Sequence, residues 1–491
     1  MTSPSPQSDA AFAVTHTRLK QVGQEHVLTF WKDLGEAQRA ALLGQIESLD
    51  LGSLPGLVRR YVTHTPPAML PSRIDPAPSY GAGGGVGGGL GSRSTRNWDV
   101  ANYRRIGEDL LRAGKVAAFT VAGGQGSRLG YEGPKGCFPG GAVTGKPLFQ
   151  MFGEGLVAAQ RRYGRPVPWY IMTSPLNHEA TVAFFQEHAW FGLDEANVSF
   201  FPQGVMPSFD MASGRILLSA KDQLATNPDG HGGAIRALKG SGSLADMRRR
   251  GVEHVSYFQV DNPLVRVVDP TFLGLHAAAR DSSGEMSSKM IPKAYPDEKL
   301  GVFCSVDGRT QIIEYSDLPR ALAEEKGPEG SLRFIGGSIA VHAISLDFLE
   351  RLGTDPSFEL PFHRAEKKVP HVQTPSGITA QPQANNGVKL EKFIFDALPL
   401  CGRSLVYETD RAEEFAPIKN ATGVDSVESS REIQTERAAR WLEGAGVRVP
   451  RRADGKADCV LEISPLTALF PEDLKGREIP REVGAGASVA L

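Results

Sequence analysis

Residues 116–136 read "VAAFTVAGGQGSRLGYEGPKG". The run Val116–Val121 passes straight into Ala122–Gly136, a stretch holding six glycines, Arg128 and Lys135. A short apolar run closed by a glycine-rich turn is the pattern of a buried strand feeding a loop. Such loops bind phosphate, because backbone N–H groups free of side chains can approach an anion closely. The spelling excludes two common phosphate loops. GxxxxGK[ST] fails because Pro134 stands before Lys135, and GxGxxG fails because Leu129 takes the third glycine position after Gly124 and Gly126. Arg128 and Lys135 repel each other in one loop unless an anion lies between them. The plain alternative is a solvent-facing turn with ordinary surface charges.

Working outward, strand-like runs recur as "PWYIMTS" (168–174), "NVSFFPQ" (197–203), "HVSYFQVDN" (254–262), "SSKMIPK" (287–293), "GVFCSV" (301–306) and "QIIEYS" (311–316). Helix starts lie between them, at Ser174 and Pro175 ahead of Val182, Phe184 and Phe185, and at Asp269 and Pro270 ahead of "TFLGLHAAAR". Alternation of this kind predicts an α/β domain with a mostly parallel, doubly wound sheet covered on both faces. Ligands of such sheets sit at the carboxyl ends of strands, where the glycine loop lies.

The segment from Thr17 to Tyr61 predicts helix, with Val27, Leu28, Trp31 and Leu34 spaced by three and four. A proline-rich then glycine-rich stretch follows and reads as a connector. "KLEKFIFD" (389–396) spaces charged and apolar residues as a packed helix would, and "SREIQTERAARWLEGAG" reads as a helix near the C-terminus. The expected organisation is a helical N-terminal lobe with its connector over 1–97, a central domain over 98–420 and a small C-terminal lobe over 421–491.

The 491 residues carry a net charge of −2 and are 41% hydrophobic, so neither nucleic acid nor a membrane is an expected partner. Cys137, Cys304, Cys401 and Cys459 are scattered without CxxC spacing, which argues against structural zinc or a disulfide framework. "MTSPSPQSDA" lacks the order of a signal peptide, and a cytoplasmic location is expected. Oligomeric state is not legible.

Asp261 closes the strand "HVSYFQ", and a carboxylate placed there among phosphates calls for a cation; Mg²⁺ binds through one or two carboxylates plus substrate phosphates. Its alternative role is to cap the next helix. "NPDGHGG" (227–233) is a tight turn presenting one imidazole, His231. Lys289 and Lys293 are open as further phosphate partners.

The glycine loop resembles the signature of sugar-nucleotide pyrophosphorylases, particularly the UDP-N-acetylhexosamine pyrophosphorylase branch of the UTP:sugar-1-phosphate uridylyltransferases. "KPLFQ", "WYIMTS", "FFPQG", "NPDGHGG", "QVDNPL", "IIEYSDLP", "KLEKFIFD" and "FAPIKN" follow in the family's order, and the resemblance runs from about Arg18 to Leu474. It implies a Rossmann-like nucleotidyltransferase fold, UTP and a hexose 1-phosphate as substrates, and Mg²⁺ or Mn²⁺ as cofactor. Arg128, Lys135 and Lys419 are the implied catalytic cations. Val121, Ala122, Gly123, Gly124 and Gly126 are implied at the nucleotide, with Gln203 on the uracil and Gly230 against the nucleotide. His231, Asp261, Glu314 and Ser338 are implied at the sugar phosphate, and Asp261 also at the metal.

Two positions depart from the branch. His231 stands where it usually has asparagine and where UDP-glucose pyrophosphorylases usually have histidine. Ser338, in "FIGGSIAVHAISLDFL", stands where the branch has an asparagine near the acetamido group. The expected activity is therefore uridylyl transfer to N-acetylglucosamine 1-phosphate, with glucose 1-phosphate as the alternative sugar. A nucleotide-sugar sensor without turnover is disfavoured by the four charges Arg128, Lys135, Asp261 and Lys419. A glycosyltransferase is disfavoured because the strand ends in "VDN" rather than a DxD.

Overall fold

The computed structural model describes residues 6–64, 71, 73–84, 96–327 and 330–491. These fall into two compact units, one within Met1–Leu70, Gly204–Gly233 and Glu359–Ile394, the other within Pro71–Gln203, Ala234–Phe358 and Phe395–Leu491.

The larger unit is built on an eleven-stranded sheet. Its strands are β1 (Asp75–Pro76), β2 (Ser79–Tyr80), β3 (Val116–Val121), β4 (Trp169–Thr173), β5 (Val198–Pro202), β6 (His254–Gln259), β7 (Met286–Pro292), β8 (Val302–Val306), β9 (Arg309–Ile313), β10 (Gly336–Ser345) and β11 (Val406–Glu408). The main path runs β2-β11-β7-β10-β6-β3-β4-β5, and β8 joins β10 to β9 and β1. Along that path only β10 is antiparallel to its neighbours; the other pairs are parallel. The strands expected from sequence are all present.

Parallel strands buried on both faces need apolar side chains throughout, and Val116, Ala117, Ala118 and Phe119 of β3 are at most 1% exposed. The helix Leu148–Tyr163 buries Leu148, Phe149, Phe152 and Leu156 in the same core. There the Phe149 and Phe185 rings lie 5.0 Å apart and the Phe152 and Phe258 rings 5.2 Å. Each aromatic ring so buried contributes roughly 1.5–3 kcal/mol. Asp269 caps the helix Pro270–Ala278 as the sequence suggested, its Oδ1 accepting from the Thr271 and Phe272 N–H groups. The C-terminal helix Val427–Gly444 and the strand pair Val460–Glu462 with Ser488–Ala490 share a core of Ala439, Leu442, Leu461 and Leu474 within this larger unit.

The smaller unit joins the helices Pro6–Gln21 and Glu36–Glu47 to strands Phe209–Asp210, Phe362–Lys367 and Gly387–Lys392 around Leu19, Leu42, Phe209, Val388 and Leu390. Two elements differ from the sequence reading. Val27, Leu28 and Trp31 lie in short 3₁₀ turns rather than in a continuous helix. "KLEKFIFD" is a strand to Lys392 followed by a 3₁₀ turn, because Val388 and Leu390 are buried with period two. The units also divide the chain otherwise than by the lobes drawn on sequence. Residues 204–233 and 359–394 sit with the N-terminal helices, and 71–84 sit with the sheet through β1 and β2. Most of the glycine-rich connector, residues 85–95, lies outside the described residues.

Candidate active site

β3 and β6 are parallel neighbours, with Val121 in register with Gln259, so their carboxyl ends emerge side by side. The Val260 N–H donates to Val121 O at 3.1 Å, which fixes the spacing of the two chain ends. From one end springs the glycine loop, and from the other Asp261. Lys135 returns across the gap: its Nζ stands 3.7 Å from Asp261 Oδ2, with both side chains largely buried. The loop is folded back by Lys135 N–H donating to Gly124 O at 3.0 Å and by Gly126 N–H donating to Gly133 O at 2.9 Å.

Among the described residues, no hydrogen bond engages the N–H groups of Gly123 and Gly124, and these are the donors an anion could use. Gly123 also makes room for Gln203 at the end of β5. A Cβ at 123 would lie 2.5 Å from Gln203 Oε1, so only glycine lets this buried amide reach the loop. Arg128 is exposed and pairs with no carboxylate among the described residues.

Lys419 arrives from far along the chain. The Ile418 N–H donates to Asp261 O at 2.8 Å, and Lys419 Nζ lies 3.9 Å from Asp425 Oδ2. Burial raises the Asp425 carboxyl above its ordinary range against the pull of Lys419, and Asp261 adds to the rise. Asp261, Lys135, Lys419 and Asp425 therefore share one charged neighbourhood.

Glu314 and Ser338 come together around Gly301. Ser338 N–H donates to Gly301 O at 2.8 Å, and Glu314 Oε1 lies 2.8 Å from where a Cβ on Gly301 would be. The Glu314 carbonyl also closes a turn by accepting from Asp317 and Leu318. In the smaller unit the His231 ring stacks on Phe393 at 5.0 Å, and its Nδ1 accepts from the Ile394 N–H at 3.2 Å. Burial, followed by the nearby His363, pushes the His231 pKa down to about 4, so the ring is neutral at pH 7.

Residues 94–439 match the family described as UTP–glucose-1-phosphate uridylyltransferase. The chain belongs to this family. Human UDP-N-acetylhexosamine pyrophosphorylase-like protein 1 is 37% identical over 94% of this chain and 94% of its own. UDP-N-acetylglucosamine pyrophosphorylase of Saccharomyces cerevisiae is 36% identical over 77% of this chain and 80% of its own. The crystal structure of uridine diphosphate N-acetylglucosamine pyrophosphorylase from Trypanosoma brucei superposes with a TM-score of 0.77 at 26% identity, covering 98% of each chain. UDP-glucose pyrophosphorylase of Leishmania major shares the fold, with a TM-score of 0.55 at 16% identity over 90% of this chain and 87% of its own.

Several of the residues singled out in the sequence of this uridylyltransferase make structural contacts of their own. Gly126 does not offer an open donor, because its N–H is held by Gly133 O and its carbonyl accepts from Leu129 and Tyr131. Ala122 is fully buried and its N–H is bonded to Met172 O. Gly230 has φ +86, and a Cβ there would lie 2.3 Å from Lys392 O; the chain's own backbone explains this glycine. Lys289 is completely buried between Asp269 and Glu414, and Lys293 Nζ donates to Pro296 O.

Sequence reasoning missed Asn177. Its Nδ2 donates to Ala122 O at 3.0 Å and to Gly124 O at 3.3 Å, while its Oδ1 accepts from Ser174 N–H at 2.7 Å. This buried amide ties the glycine loop to the start of the next helix. Its only signal was an asparagine in a turn directly after a strand.

Proposed function

We propose that this uridylyltransferase makes UDP-N-acetylglucosamine and pyrophosphate from UTP and N-acetylglucosamine 1-phosphate, on a nucleotidyltransferase-type, doubly wound sheet. The placement of Lys135 against Asp261 at two adjacent strand ends, beside the free N–H groups of Gly123 and Gly124, carries this reading. The names of the human and yeast relatives support the N-acetylated sugar.

In this reading a sugar-phosphate oxygen attacks the α-phosphorus of UTP in line, the α–β phosphoanhydride bond breaks, and pyrophosphate leaves with the electron pair. No side-chain nucleophile is needed, and the protein acts by positioning and charge stabilisation. Lys135 and Arg128 hold the departing pyrophosphate. Lys419 neutralises charge at the α-phosphate, and the Gly123 and Gly124 N–H groups with Gln203 seat the uridine nucleotide. Glu314 accepts hydrogen bonds from sugar hydroxyls.

Mg²⁺ or Mn²⁺ fits the donor set: Asp261 supplies a hard oxygen, and among the described residues no three His, Cys, Asp or Glu side chains cluster to hold a metal alone. That suits an ion taking most of its ligands from triphosphate and water. When bound, it neutralises phosphate charge. The four scattered cysteines support a cytoplasmic location.

His231 and Ser338 favour a second reading, in which glucose 1-phosphate is also accepted. A serine hydroxyl reaches less far than an asparagine amide and holds an acetamido group less firmly. Pyrophosphate release from UTP with each sugar phosphate tests both readings; no release with any hexose 1-phosphate overturns them.

A further inference from the structure

Lys289 is a charge that the proposed reaction does not use. It is fully buried, and its Nζ donates to Asp269 Oδ2 at 2.6 Å and to both Glu414 carboxylate oxygens at 2.6 and 2.7 Å. The Glu414 carboxylate also accepts from the Arg266 N–H at 3.1 Å and from the Thr409 hydroxyl. A buried ion pair with its lone pairs satisfied in this way fixes geometry more than it adds stability. What it fixes is the stretch 409–416, which leads into Ile418 and Lys419.

The same stretch is clipped from the other side by Asn262, the neighbour of Asp261. Asn262 Nδ2 donates to Glu414 O at 2.6 Å, and Asn262 Oδ1 accepts from the Ala416 N–H at 3.1 Å. The side-chain amide thus pairs with a backbone carbonyl and a backbone N–H at once, which an aspartate at this position could not do. Asp261 O completes the join by accepting from Ile418 N–H. Asn262 is 6% exposed, so water does not replace these bonds.

We propose that Asn262 is a positioning residue for uridylyl transfer. Its amide, backed by the buried Lys289–Glu414 pair, registers the 414–419 segment on the strand end that carries Asp261 and so aims Lys419 at the phosphates gathered there. The inference rests on the reading of Lys419 as a phosphate-directed lysine. A misplacement of about 1 Å in such a group is enough to cost roughly 100-fold in rate.

The test is a double-mutant cycle between Asn262→Ala and Lys419→Ala, reading kcat and the KM for UTP at saturating sugar phosphate, well below the unfolding transition. Asn262→Ala is expected to lower kcat roughly 10- to 100-fold with the KM for UTP little changed. In the Lys419→Ala background the same substitution is expected to cost less than about threefold, because the group it positions is gone. An equal fold loss in both backgrounds, or a wild-type kcat in Asn262→Ala, overturns the proposal. A wild-type kcat in Lys419→Ala alone overturns the Lys419 reading instead, so the two failures are distinguishable. If Asn262→Ala does not fold, Asn262→Asp carries the same cycle: it keeps the volume and the acceptor for Ala416 and loses the donor to Glu414.

Discussion

Lys135 Nζ and Asp261 Oδ2 stand 3.7 Å apart, bridging the carboxyl ends of two neighbouring parallel strands with side chains 15% and 16% exposed. At this separation and an effective dielectric of about 20, the attraction is about 4 kcal/mol before desolvation is subtracted. Desolvation offsets most of this, so the pair orients the lysine at the mouth of the glycine loop more than it stabilises the fold. In the proposed reaction a phosphate entering the loop would meet Lys135 already in place, with Asp261 the carboxylate proposed to face the divalent ion.

Lys135→Ala is therefore expected to lower kcat by roughly 10²–10³, the loss seen when one preorganised transition-state donor is removed. Stability should change by no more than about 1 kcal/mol, since desolvation of this largely buried pair offsets most of its attraction. Steady-state kinetics beside a thermal melt checks both. A wild-type kcat with an intact fold contradicts the leaving-group role.

Asp261→Asn removes the carboxylate charge and keeps the shape. The divalent-ion concentration giving half-maximal activity should rise, while the melting temperature without metal stays near that of the wild type. Full activity of the unaltered enzyme in excess chelator contradicts a metal at this position.

Asn177→Ala cuts the tethers from a buried amide to Ala122 O and Gly124 O. Ala122 O, which is buried, is left short of a donor at about 1–3 kcal/mol, while Gly124 O keeps the Lys135 N–H. The KM for UTP should rise roughly tenfold while that for the sugar phosphate moves little, because only the nucleotide-facing loop is loosened. Parallel titrations of the two substrates check this; equal changes in both KM values contradict it.

Stability should fall with acidification below about pH 6.5. His276 is fully buried, its Nδ1 bonded to Ser287 Oγ, and burial, followed by the neighbouring His254, holds its pKa well below the ordinary histidine value. His254 is lowered as well, chiefly by burial. The folded protein keeps these rings neutral where the unfolded chain takes up protons, so the loss begins at the unfolded pKa of about 6.5 and grows toward the folded value. Each such ring contributes a slope of about 1.4 kcal/mol per pH unit in that window. His276→Gln, neutral throughout, should flatten the melting temperature against pH between about pH 6.5 and 5. An unchanged slope contradicts the assignment.

Much of this was legible in the sequence, for physical reasons. Val116–Val121, a short apolar run closed by glycines, read as a buried strand and is one, and the six glycines beside it marked the loop that springs from its end. Asp261 was legible because it stands two residues past the end of a six-residue strand. The make-up of the smaller unit was not, because it depends on pairing Phe209 with Val388, residues far apart in the chain. The strand Gly387–Lys392 was misread because a short run of alternating charge fits either period. Asn177 and Asn262 escaped notice because each acts by hydrogen-bonding a distant backbone, which local pattern does not encode.

The central claim is the transfer itself and its sugar. If the proposed site is shaped for an acetamido group, glucose 1-phosphate would leave polar groups unpaired there, at about 1–3 kcal/mol. Against that, Ser338 offers a weaker hold on the acetamide than an asparagine would. The measurement is kcat/KM for pyrophosphate release from UTP with N-acetylglucosamine 1-phosphate and with glucose 1-phosphate, side by side. The account predicts that the N-acetylated sugar is preferred by about 10- to 100-fold, and that Ser338→Asn widens the gap. A higher kcat/KM for glucose 1-phosphate would contradict it.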